Sequence, residues 1–99
     1  MMNNEEKNAS TASIEWTRTE QFIEGQYYPS FESKGPDWCY TIYPLVRPKK
    51  PEPIGFHFGG WARKPGDDVT RKRIEGEAKT VGECTSVCQS HLLHVQSNM

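Results

Sequence analysis

Four side chains near the C-terminal end have the types that bind metal or do nucleophilic chemistry. Cys84, Cys88, His91 and His94 form a Cys-x3-Cys-x2-His-x2-His run. Thiolates and imidazoles are the usual ligands of zinc. At about 100° per residue, Cys84, Cys88 and His91 fall together on one helix face while His94 lies to the side. A structural zinc normally crosslinks two elements. A single helix offers nothing to crosslink, unless Cys39 reaches in as a fourth ligand. Cys88 and His91 also have the one-turn spacing at which a base activates a thiol. No glycine-rich oxyanion motif and no well-placed orienting acid accompanies them. Free cysteine behaves as a small hydrophobe and is usually buried. The preferred reading is therefore Cys84 and Cys88 as core residues, with Cys84, Cys88 and His91 as the metal-site alternative. No catalytic residue and no cofactor is expected, and the chain has no phosphate loop, dinucleotide fingerprint or paired-carboxylate motif.

A second constellation mixes aromatic and basic residues. Trp61 is followed by Arg63 and Lys64, and Arg71 and Arg73 lie on the next segment. Tryptophan and arginine are the types that dominate protein-binding hot spots. They are also the types that stack on and neutralise single-stranded nucleic acid. The candidate partner-binding residues are Trp61, Arg63, Arg71 and Arg73, with Tyr43 as a further one.

The elements that must position these groups can be read from pattern. Thr80 and Glu83 have the spacing of a capping box at a helix start. Val81, Cys84, Cys88, His91, Leu92 and Val95 then recur as one stripe, so this helix must dock on something apolar. Leu93 lies opposite the stripe and could extend a self-association surface. Thr70–Lys79 alternates with period two and reads as a strand with one charged side. Its small residues Gly76 and Ala78 would let a helix or another backbone come close. Trp38–Val46 and Ile54–Arg63 also read as strands. The glycines of the latter mark a bulge or a close backbone approach. Lys34–Asp37 and Lys64–Asp68 read as turns. Pro29 makes Tyr27–Ser33 an edge strand. Residues 14–26 fit a strand or a short helix equally, with Gly25 ending either. Arg47–Pro53 holds three prolines and reads as an extended spacer, although Pro48 and Pro51 have PxxP spacing.

The expected fold is α+β, an antiparallel sheet of three to four strands with the C-terminal helix packed on one face. Ninety-nine residues make one domain, residues 13–97, after a flexible tail at 1–12. The chain is polar, with a quarter of its residues charged, but three Trp, four Tyr and four Phe supply material for a small core. The net charge of −1 excludes a globally basic protein. Its distribution is uneven: residues 1–37 carry three basic against seven acidic side chains, residues 38–73 eight against three, and residues 74–99 one against three. The basic middle either attracts its own flanks or faces an anionic partner. There is no apolar run of membrane-spanning length, no hydrophobic signal core, and an odd cysteine count. These point to a reduced, cytoplasmic protein with no membrane partner.

Tyr27–Leu93 resembles a double-stranded RNA-binding domain in element order. Gly35-Pro36-Asp37-Trp38 matches only the Gly-Pro of that family's Gly-Pro-x-His loop. Val81-Gly82-Glu83-Cys84-Thr85 lacks every lysine of its Lys-Lys-x-Ala-Lys helix start, so the family's RNA contacts do not carry over. In size, polar start and aromatic-rich sheet the chain also resembles small accessory proteins of phages and prophages. That resemblance implies a non-enzymatic protein-binding module, an inhibitor that occludes a host (defence) protein or complex, including one that handles nucleic acid. The competing expectation is a small RNA- or single-stranded-DNA-binding module using the basic, aromatic hairpin. A homodimer is compatible with either.

Overall fold

The structure, a computed structural model, describes residues 14–49, 52–67 and 69–97. The expected tail at 1–12 lies outside them, as do Lys50 and Pro51 of the proline-rich segment. Residues 14–26, which fitted two readings, contain a strand and a turn. Glu24 and Gly25 take φ of 53° and 81°, the geometry of a two-residue type I′ turn, which glycine enters without steric cost. This turn joins β1 (Thr17–Ile23) to β2 (Gln26–Gly35).

The turn also fixes which backbone groups of β1 meet β2. Ile23 and Gln26 close the turn as a hydrogen-bonded pair, and pairs then alternate along the ladder. Pro29 sits opposite Glu20, at a pair that exchanges no backbone bonds. The ladder from β2 to β3 begins only at Phe31, so the missing N–H of Pro29 points where no strand asks for it. That is why the expectation of an edge strand fails: β2 is the second strand, and proline is tolerated because one side of the ladder stops short of it.

β3 (Trp38–Leu45), β4 (Gly55–Ala62) and β5 (Lys72–Ala78) follow. Among the described residues the sheet is a five-stranded antiparallel meander in the order β1-β2-β3-β4-β5. The α+β class stands, with five strands in place of three to four. The fifth strand is β1, from the segment that fitted two readings. Short connections set the order. Pro36 and Asp37 alone separate β2 from β3, and the N–H of Ile54 donates to the carbonyl of Leu45 (2.8 Å) to close the next loop. The turn after β4 is tied by Asp67 N–H to the Lys64 carbonyl (3.0 Å).

The helix α1 (Val81–Ser97) starts as its cap predicts. The Glu83 N–H donates to the Thr80 hydroxyl (3.1 Å), and the Glu83 carboxylate accepts from the N–H groups of Thr80 (3.2 Å) and Lys79 (3.1 Å). Its stripe of Cys84, Cys88, Leu92 and Val95 is buried against Tyr40, Ile42, Phe58 and Ala62 of the sheet, with Ile14 completing the core. Gly60 is required here by close approach: a Cβ would lie 2.1 Å from the Cys39 carbonyl oxygen. Gly76 makes room for the Phe58 ring from the neighbouring strand, 2.7 Å from where a Cβ would stand. The small residues of this strand thus face both a neighbouring ring and α1, which packs on β5. α1 packs on β3, β4 and β5, which leaves the β1–β2 end of the sheet outside its cover.

Candidate functional site

With one helix on one face, the other face of the sheet lacks a covering element among the described residues. Strand alternation puts Cys39, Thr41 and Tyr43 of β3, His57, Gly59 and Trp61 of β4, and Arg73, Glu75 and Glu77 of β5 on that face. Cys39, Trp61 and Arg73 are consecutive cross-strand partners in one row.

Trp61 is the centre of the basic end. The Arg71 guanidinium lies over its ring, 4.1 Å from the centroid, and that of Arg63 is 5.8 Å away. Such cation–π contacts are worth about 0.5–1 kcal/mol at an exposed site. The two arginines differ in their other ties. Arg63 Nε donates to Asp37 Oδ1 (3.2 Å) and Arg63 Nη2 to the Pro36 carbonyl (3.1 Å). Its side chain is half-buried, and it clamps the end of β4 to the β2–β3 turn. Arg71 and Arg73 are exposed. The structure therefore brings Trp61, Arg63, Arg71 and Arg73 together, with Arg63 held inward and the other two presented outward.

Tyr43 is further along the same face. Its ring stacks on His57 with centroids 4.9 Å apart, and His57 Nε2 lies 3.6 Å from Glu75 Oε2. Between His57 and Trp61, Gly59 leaves the face without a side chain. A shallow depression opens there, lined by Gly59, Gly60, Arg73, Ile74 and Glu75. The His57–Glu75 contact was not legible from spacing, because it joins two strands diagonally. The face thus has a basic end at Arg71 and Arg73 and an acidic side at Glu75 and Glu77.

The Cys–His run sits on the opposite side. Cys84 and Cys88 are fully buried under the sheet. Burial and the neighbouring Cys84 push the Cys88 thiol up to about 12, and burial followed by the Glu83 charge raises Cys84. Both are held as thiols, and Cys84 directs its sulfur at the Phe56 carbonyl (4.0 Å). His91 is occupied otherwise: its Nδ1 is 2.7 Å from the Tyr40 hydroxyl. Burial, then His94, lowers the His91 pKa, while burial and Cys88 raise that of Tyr40. Among the described residues no three His, Cys, Asp or Glu side chains are grouped so as to hold a metal ion. Leu93 is 38% exposed on the far side of α1. Among the described residues, no helix is long and apolar enough to cross a membrane.

No family model matches the chain, and no curated protein or solved structure shows significant similarity to it.

Proposed function

We propose that the protein is a non-enzymatic binding module that occludes a surface of a protein partner with its uncovered sheet face. The observation that carries this reading is the Trp61–Arg71 stack beside Arg73 on that face. Tryptophan and arginine held in place lose little side-chain freedom on binding, which is how a few residues come to carry most of an interface. The mixed charge of β5 favours a protein over a polyanion. Arg71 and Arg73 are followed at once by Glu75 and Glu77, and the two acids would repel phosphates drawn to the two bases. A cytoplasmic host defence protein, the partner class suggested by the resemblance to phage accessory proteins, is the first target to screen.

The test is capture by the tagged full chain from bacterial lysate, followed by reconstitution with the purified captured protein. Trp61→Ala and Arg71→Ala should each weaken the reconstituted complex by tenfold or more, about 1.4 kcal/mol. Their melting temperatures should stay near that of the parent. A complex indifferent to both substitutions sinks the proposal. The stack also favours one competing reading, a single-stranded nucleic-acid module, since bases stack on the same groups. Fluorescence anisotropy with single-stranded DNA and RNA separates the two. Binding that falls steeply with salt and is lost in Trp61→Ala would replace the protein reading.

A further inference from the structure

Among the described residues, the two end strands of the sheet have open edges of different character. β5 lies under α1 and carries the charged side chains of Lys72, Arg73, Glu75 and Glu77. Among the described residues β1 is paired with β2 alone, and it ends in an exposed aromatic pair. Phe22 is 61% and Tyr27 66% exposed, with ring centroids 4.9 Å apart. A free edge beside exposed apolar rings is a template for another strand.

Backbone parity and charge together choose that strand. The turn at Glu24–Gly25 directs the N–H and C=O groups of Thr17, Thr19, Gln21 and Ile23 to β2, so those of Arg18, Glu20 and Phe22 point outward. A two-fold pair of β1 edges must therefore set even-numbered residues against even-numbered residues. A dyad at Arg18 would set arginine against arginine, and one at Glu20 glutamate against glutamate. A dyad at Gln21 would set Glu20 against Phe22. A dyad at Thr19 sets Arg18 against Glu20 of the second copy, Glu20 against its Arg18, and Phe22 against its Trp16. Opposite charges directly across a ladder stabilise it and like charges destabilise it. Arg18 and Glu20 are already an exposed ion pair at 3.4 Å, their side chains 63% and 49% accessible and available to pair anew. Ile14 and Trp16 both pack on the core, which places Trp16 on the same side as Arg18, Glu20 and Phe22.

We propose that the protein self-associates through β1, as an antiparallel two-fold pair centred on Thr19 that joins two five-stranded sheets into one. Such an interface is self-complementary, as a closed dimer requires. It is one strand long and buries less than the roughly 1,000 Å² of a stable complex, so monomer and dimer exchange with concentration. The uncovered faces of the two sheets then lie side by side, and a partner would meet two Trp61 platforms.

Sedimentation velocity of the full chain, over about a hundredfold range of concentration and at low salt, tests this directly. The expected result is a concentration-dependent dimer. Arg18→Glu and Glu20→Arg should each weaken it by about tenfold, and the double exchange Arg18→Glu/Glu20→Arg should restore it. Both sites are exposed, so loss of fold does not confuse the reading, and a melting curve for each variant confirms it. Trp61→Ala should leave the dimer unchanged, which separates this surface from the partner face. A monomer at every concentration overturns the proposal. So does a dimer insensitive to the single substitutions, or one that the double exchange fails to restore.

Discussion

Tyr40 and His91 are 51 positions apart, yet the tyrosine hydroxyl and His91 Nδ1 lie 2.7 Å apart. Replacing Tyr40 by Phe leaves the His91 ring nitrogen without its partner and should cost about 1 kcal/mol in urea unfolding. His91 and Cys88 bound the pH range of stability. His91 has its pKa lowered in the fold, so the unfolded chain takes up its proton first. Its contribution is complete above 6.5 and is lost as pH falls below that value. Cys88 stands at about 12 in the fold against 9.0 unfolded, so the unfolded chain loses its proton first and stability declines as pH rises above 9.0. A plateau between these limits is expected in the urea midpoint as a function of pH. His91→Gln should flatten the acid side, and Cys88→Ala should reduce the alkaline slope to the part due to Cys84 and Tyr40. Helical spacing alone placed Cys84, Cys88 and His91 on one face. It could not reveal that His91 meets a tyrosine from a strand, because a long-range pair leaves no local period.

At the scale of elements, the cap of α1 is both the most legible feature and the easiest to test. Thr80→Ala removes the acceptor of the Glu83 N–H and should cost about 1 kcal/mol. Gly60→Ala should cost more, about 3 kcal/mol, because the added methyl meets the β3 backbone and not a yielding side chain. Denaturant unfolding of the two variants would order them, and a near-neutral Gly60→Ala would contradict the close packing of β3 on β4. The strands from Trp38 onward and α1 were legible because each has one dominant period and clear turn residues at its ends. The front pair was not. β1 reads Thr-Arg-Thr-Glu-Gln-Phe-Ile, exposed along almost its whole length, so no buried face imposes an alternation on its composition. Pro29 misled for a definite reason. Its cost depends on whether a ladder bond is wanted at that residue, and only the register of the neighbouring strands decides that.

At the scale of the whole molecule, one helix covers three strands of five, and the sheet's second face and its β1–β2 end lack a covering element among the described residues. Aromatic and basic residues along the chain foretold that Trp61, Arg71 and Arg73 would share a surface, since alternation is a local rule. The opposed arrangement of a covered β3–β5 and a projecting β1–β2 hairpin was not legible, because it follows from the length of α1 against the width of the sheet. This asymmetry has a measurable consequence in amide hydrogen exchange. The central strands β3 and β4, paired on both sides and under α1, should open only with global unfolding. In dilute solution β1 should show alternating protection. The amides of Thr17, Thr19, Gln21 and Ile23, bonded to β2, should exchange slowly. Those of Arg18, Glu20 and Phe22, directed at the open edge, should exchange fast. Raising the protein concentration should slow the second set without altering the first, because the β1–β1 pair supplies partners to those groups alone. Uniform protection along β1 in dilute solution would show the outer edge already satisfied within one chain. Protection of β5 rising with concentration in place of β1 would move the self-association surface to the other end of the sheet.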